Sequence, residues 1–306
     1  HTDVTTVALT GTVTLGDGAK VTPSRKVTIT RTEDNKKCTM FRIADGASVA
    51  FDNVTIDGAV AGDAATHKVD PSDTTMVYLD KSSTVSLGSS AVLENNGNSA
   101  VTLYGNDATL NVNGATFRNN AATYGAAVVA SFTSTVNVSA GTFENNHASK
   151  YGGAIMLSGG TSTPGEAAEQ TLNVTGDGGK VTFANNSAAE GGAVSVNVGT
   201  TAKIDRATFT GNNAQLGGAI YVWGNADGPR GMLTMGSALI TGNTAQGDGE
   251  SDASLAGGGI YSCPTSRLSL NVDKGYKIFG NTSSDVAIDG DSQPFWGYQL
   301  AGSEPT

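Results

Sequence analysis

Charge is scarce in this 306-residue chain: 15% of residues are charged, and 28 acids against 18 bases leave a formal net charge of −10. Binding a phosphate backbone needs clustered bases, so nucleic acid is excluded as a partner. Aromatic residues make up 6%, with 7 prolines and 2 cysteines. Cys38 and Cys263 stand 225 positions apart. In an elongated stack they sit far beyond the ~7 Å between Cα atoms that a disulfide tolerates, so no bridge between them is expected. No apolar run approaches the ~20 residues of a membrane-spanning helix, so this fragment is not expected to insert into a membrane directly. No signal peptide, lipidation signal or sorting motif is legible. The end, Gly302-Ser303-Glu304-Pro305-Thr306, reads as linker. The expectation is a piece of a larger, exported and anchored protein.

What is abundant is glycine, 41 residues of it, and a returning phrase. An apolar residue is followed three positions later by Asn, and then by a Gly-Gly-Ala-Ile corner. The Asn residues of the successive copies are Asn96, Asn120, Asn146, Asn186, Asn212, Asn243 and Asn281. The intervals Phe117 to Phe143, Phe143 to Phe183 and Phe183 to Phe209 are 26, 40 and 26 residues, the long one absorbing an insertion near 158–170. A unit of about 26 is too short for a helix-bearing crossover, which runs to ~30 or more. It fits three strands of about five residues and three corners. Each such unit leaves strand edges unpaired and half an apolar face open, so only its neighbours above and below complete it. The fold expected is all-β: a single-stranded, right-handed parallel β-helix, a solenoid of about nine rungs with capped ends. Residues 1–55 are assigned to an N-terminal cap and first strands, 56–290 to the repeats, and 291–306 to a cap carrying Phe295, Trp296 and Tyr298 plus linker. The Asn column is expected to form a ladder of stacked amides, with Asn tolerating left-handed backbone at the corner. This is a structural role.

The pairing of Gly152-Gly153-Ala154-Ile155, Gly191-Gly192-Ala193-Val194 and Gly217-Gly218-Ala219-Ile220 with Phe117/Asn120, Phe143/Asn146, Phe183/Asn186 and Phe209/Asn212 resembles the repeats of chlamydial polymorphic outer membrane proteins. Similar repeats occur in large surface adhesins of other bacteria. The resemblance covers about residues 90–285 and implies a right-handed parallel β-helix, display at the bacterial cell surface, and adhesion. The partner it implies is a host-surface glycan or protein. A passive stalk and a polysaccharide lyase or glycoside hydrolase on the same scaffold are the alternatives.

Candidate binding residues follow from alternation. If Ile155, Val194 and Ile220 point inward, then Tyr104, Val129, Met156, Tyr221, Trp223 and Tyr261 form an outward stripe suited to holding sugars or a protein. Two insertions, 158–170 and 224–231, leave the same corner and would wall a notch. Its floor would carry Asn197, Trp223 and Lys203, and its walls Glu166, Glu169, Asp227 and Arg230. The second strand of successive units reads as a flat polar row of Asn111, Asn137, Asn173, Asp205, Thr234 and Asn271. Asp248, Glu250 and Asp252 alternate in one loop as hard-cation donors do, so Ca²⁺ is the cofactor this sequence allows, against a plain solvated acidic loop. No other cofactor is expected. A hydrolase needs two facing carboxylates, and no nucleophile–base–acid set is recognisable, so no catalytic residue is assigned.

Overall fold

A computed structural model describes residues 5–60, 74–159, 170–224, 229–249, 255–271, 274–288 and 298–299. The chain is all-β and coils as a parallel β-helix. Ten strands stack in one sheet, here sheet II, and eighteen in a second, sheet I. One turn of the coil contributes a short strand such as Val128–Ala130 to sheet II. It then turns a corner into a longer run such as Thr135–Glu144 in sheet I. After a second corner a short strand, His147–Tyr151, leads back to sheet II.

The register is strict because alternate side chains must enter a shared interior. Val136 and Val138 sit directly below Leu172 and Val174, then Ala202 and Ile204, then Leu233 and Met235, and all are buried. Phe117, Phe143, Phe183 and Phe209 stack in one column, with ring centroids 4.9, 4.8 and 4.6 Å apart and planes within 9° of parallel. The first strands belong to the same stack: Thr6–Leu9 lies beside Val27–Arg31, and Val13–Leu15 beside Phe41–Ile43. At the other end Tyr298–Gln299 pairs antiparallel with Lys277 and Ile278. Phe295 and Trp296 lie outside the described residues.

The repeated Asn residues form the expected ladder, and it is directional. Asn120 Nδ2 donates to Asn146 Oδ1 (2.9 Å), Asn146 to Asn186 (3.0 Å), Asn186 to Asn212 (3.0 Å), Asn212 to Asn243 (2.8 Å) and Asn243 to Asn281 (2.9 Å). The backbone N–H of each donor Asn reaches the same acceptor oxygen. The second amide hydrogen bonds a carbonyl one rung back, as Asn186 does to Phe143 O (2.9 Å). Both ends close on a charge of the appropriate sign. At the acceptor end Arg31 Nη1 donates to Asn96 Oδ1 (2.9 Å); at the donor end Asn281 Nδ2 donates to Asp285 Oδ1 (2.7 Å). In sequence Arg31 reads as one of a cluster of basic residues, yet its side chain is fully buried.

Left-handed backbone falls one residue before each ladder Asn, at Asn95, Asn119, Asn145 and Asn185 (φ 55–58°) and then at Gly211, Gly242 and Gly280. The ladder residues themselves do not need it. In the Gly-Gly corner the two glycines do different jobs. The first of each pair, such as Gly191 (φ 69°), is left-handed. The second, such as Gly192, passes so close to the next rung that a Cβ would collide with Gly218 O.

The outward positions correct the sequence reading. On sheet I the amide column runs Asn111, Asn137, Asn173 and then Lys203, Thr234 and Ser269. Asp205 and Asn271 therefore lie outside that row: each strand starts on a Thr or its equivalent, and counting from the neighbouring apolar pair displaces both by two. On sheet II the outward column is Tyr78, Thr102, Val129, Met156, Ser195, Tyr221 and Tyr261. Met156, Tyr221 and Tyr261 are buried, so they do not form an exposed stripe. Leu216, Ala245 and Ala256 pack over the stacked Tyr221–Tyr261 pair (5.6 Å, 6°) as a second small core outside the coil. There the Tyr221 hydroxyl lies 3.5 Å from Cys263 Sγ; neither Cys263 nor Cys38 is in a disulfide. Burial pushes the Glu190 carboxyl above the ordinary range, a hydrogen bond from Tyr221 works against this, and the nearby Asp248 adds to it.

Two outcomes are expected. Asn186→Ala strands the backbone and side-chain N–H groups of Asn146 and removes one of the two donors to Asn212 Oδ1, and should destabilise by roughly 3 kcal/mol on the scale of buried unsatisfied groups. Asn137→Ala, on the outer face, should stay within about 0.5 kcal/mol; urea midpoints of the two variants compare them. Because the folded state holds the Glu190 proton more tightly than the unfolded chain, its contribution is full at acid pH. It fades as pH rises through the raised value. Glu190→Gln should therefore raise Tm at pH 7.5 while leaving it nearly unchanged at pH 4.

Candidate functional site

Where the outward column of sheet II is not covered, a groove of about 510 Å³ opens over its earlier rungs. Its floor is Thr102, Val129 and Ser131, and Tyr78, Tyr104 and Tyr124 stand around it. Tyr104 follows the strand Val101–Leu103 and is 56% exposed. Its ring is gripped from two sides: Phe132 meets it edge-on (5.0 Å, 86°) and Tyr78 lies tilted against it (6.0 Å, 40°). Tyr124 stacks on Tyr151 (5.9 Å, 13°) under Lys150, whose Nζ is 5.8 Å from the Tyr124 ring centroid. Behind Tyr78 the Arg42 guanidinium sits 5.7 Å from the ring centroid and is held by both carboxylate oxygens of Asp80 (2.6 and 2.9 Å). Burial raises the Tyr78 hydroxyl above its ordinary pKa, and the Asp80 charge adds to this, so the phenol stays neutral.

Phe132 is the residue that sequence reasoning passed over. Its φ is 58°, in the left-handed region, and it is 41% exposed. Other corners that leave sheet II place Gly46, Ser82, Asp107 or Gly199 in that conformation. A bulky side chain there costs about 1–3 kcal/mol, and an exposed phenyl recovers little of it. The turn is nonetheless fixed from the next rungs. The amide of Gln170, fully buried, donates to Phe132 O, while its Oε1 accepts from Gly159 N (2.8 Å). Thr133 Oγ1 bonds Asp107 (3.0 Å). The signal was present in the sequence as an aromatic residue inside a Ser-Phe-Thr-Ser corner, at the left-handed position that other corners give to Gly46, Ser82, Asp107 or Gly199.

The opposite lip of the groove hangs from the end of the ladder. Arg31 Nη2 donates to Thr74 O (2.8 Å), and Asn96 Nδ2 to Thr74 O (3.0 Å) and Asn98 O (2.7 Å). Ser99 Oγ donates to Tyr124 O (2.8 Å), tying the lip to the far wall.

The notch inferred between two insertions is not assembled as expected. Asn197 is buried, its Oδ1 accepting from Ser195 Oγ (2.9 Å), so it is a turn residue and not part of an open floor. Lys203 projects from sheet I and lines a separate polar groove of about 430 Å³ with Asn173, Thr234 and Lys274. Asp205, the one carboxylate there, is held by Ser237 N (2.8 Å), Ser237 Oγ (2.9 Å) and Lys274 Nζ (3.1 Å). Trp223 and Arg230 are exposed on either side of the loop between them, where Gly224 and Arg230 form an antiparallel bridge. Asp227, Glu166 and Glu169 lie outside the described residues, as do Glu250 and Asp252; Asp248 is exposed. Among the described residues no group of three His, Cys, Asp or Glu side chains converges as metal ligands would. No helix among them is long and apolar enough to cross a membrane.

Comparison with known proteins agrees with the repeat geometry. Residues 141–158, 180–197 and 206–222 match the family model of the Chlamydia polymorphic membrane protein repeat. No curated protein and no solved structure matches the chain. Each matched segment runs from a stacked Phe through its ladder Asn to a Gly-Gly corner and the sheet II strand beyond, so the match rests on the residues that make the coil. These three segments are similar to the Chlamydia polymorphic membrane protein repeat.

Proposed function

We propose that this chain is the ectodomain of a bacterial cell-surface adhesin, displayed as part of a larger anchored protein, which captures a host glycan or protein without chemistry. The observation that carries the reading is the open aromatic groove around Tyr104, on a sheet whose equivalent positions further along are sealed by a second core. A stalk gains nothing from leaving a large aromatic ring exposed, whereas a rigid scaffold that presents one is a common way to anchor a ligand. The repeat family supports display at the surface. The lining supports capture over catalysis: among the described residues the aromatic groove contains no carboxylate, and the second groove has a single one, saturated by three donors, where glycoside hydrolysis uses a facing pair.

Labelled protein should bind cultured epithelial cells saturably. Tyr104→Ala should weaken that binding at least tenfold, equivalent to about 1.4 kcal/mol, with the far-UV spectrum and melting point unchanged. Equal binding by the variant and the parent would remove the groove as the capture site.

A further inference from the structure

Resting on the groove as the site of capture, we infer that its occupant is a short, uncharged saccharide and that Phe132 is the positioning residue for the ring it stacks upon. Among the described residues the lining has no ionisable side chain apart from its tyrosines. The cations at its edges are Arg42, already neutralised by Asp80, and Lys150, which lies over the Tyr124 ring and is not among the lining residues. On a chain of net charge −10 nothing in the groove compensates an acidic sugar, which the surrounding field repels. What the groove does offer is what a neutral sugar ring needs: a flat aromatic face and hydroxyl and amide groups that donate and accept, from Thr102, Thr123, Ser131 and Asn98.

Its size points the same way. The groove takes in three successive positions of the outward column, Tyr78, Thr102 and Val129, with buried Met156 closing it on one side and the Arg42–Asp80 pair beside Tyr78 bordering it on the other. Three positions at the ~4.8 Å spacing of a sheet give a platform roughly 10–15 Å long. A volume of about 510 Å³ falls in the range of small-ligand pockets, ~300–1,000 Å³. A protein partner needs on the order of 800 Å² per side, far more than this groove offers.

Phe132 explains why the platform is rigid. It occupies a left-handed position where a smaller residue is more comfortable, and the contact it gains is the edge-on one with Tyr104. Backbone strain retained at the rim of a groove is the mark of a functional constraint. Without the phenyl, Tyr104 keeps its reach but loses the wall that fixes its plane.

Saturation-transfer NMR and calorimetry with lactose, N-acetyllactosamine and maltotriose as neutral probes, and 3′-sialyllactose and a hyaluronan tetrasaccharide as acidic ones, test this. At least one neutral probe should bind and should compete with cell binding, with the acidic probes at least tenfold weaker. Tyr104→Ala should weaken the neutral probe at least tenfold and Phe132→Asn at least fivefold. Because Asn accepts left-handed backbone, Phe132→Asn should melt no lower than the parent, while Phe132→Tyr should keep the affinity. A merely structural phenyl would give the reverse, with Phe132→Asn losing stability and keeping affinity. If no neutral probe binds at about 10 mM, weaker than the ~1 mM limit of useful recognition, while Tyr104→Ala still abolishes cell binding, the occupant is not such a sugar and the inference falls alone. Preferential binding of an acidic probe also overturns it. If Tyr104→Ala leaves cell binding untouched, the capture reading itself fails.

Discussion

A hydrogen bond that runs in only one direction organises this molecule. From Asn120 onward each ladder amide gives a proton toward the C-terminal end, and from Asn146 onward each oxygen receives two, one from the backbone and one from the side chain of the preceding Asn. The amide dipoles therefore add along the column as peptide dipoles do along a helix. An open column of this kind would leave a bare acceptor at one end and a bare donor at the other, both buried. Arg31, which can only donate, closes the first, and Asp285 Oδ1 accepts at the second. Exchanging the two ends would place a donor against a donor. The polarity of the ladder and the placement of those two charges are one constraint.

The same constraint reaches the surface. Arg31 has donors left after Asn96, and it uses them on Gly58 O, Cys38 O and Thr74 O. Asn96, freed from donating to another Asn, bonds the carbonyls of Thr74 and Asn98. The terminal rung of the ladder is thus the place where amide protons become available to loops, and the lip of the groove is built from the loops they hold. The groove sits beside the ladder's end because interior rungs have no spare donors to hold an irregular segment.

The repeats were legible because they obey a physical period. Phe143 and Asn146 can only recur as they do if identical units stack, and the second Gly of pairs such as Gly191-Gly192 marks a close approach to the next rung. Other features lay outside any period. The offset of Lys203 and Asp205 depends on where the strand Thr201–Ile204 begins, which a Thr-Ala-Lys-Ile run does not announce. The burial of Tyr221 and Tyr261 depends on Leu216 and Ala256, which arrive from other corners and other rungs. Local alternation reports which face a side chain takes, and it is silent on what comes to lie over that face. Arg31 and Asp285 were unreadable for a related reason: a cap is by definition not a repeat unit.

This division between periodic and aperiodic residues separates folding from recognition. The segments that match the family repeat, within 141–222, contain the stacked rings, the ladder and the glycine corners. On sheet II they lead into the sealed stretch of the outward column, from Met156 to Tyr221. The groove lies between Thr39 and Ser131, outside every matched segment. A coil held from within by amides and aromatic rings places almost no demand on the side chains it turns outward, apart from the need to keep edges paired. Tyr104, Tyr124 and Phe132 can therefore change without disturbing a rung, and the replacement of Phe132 by a smaller residue even relieves its backbone. Proteins sharing this repeat should then share the coil and differ in the side chains they turn outward, since the positions that define the repeat are those that build the coil.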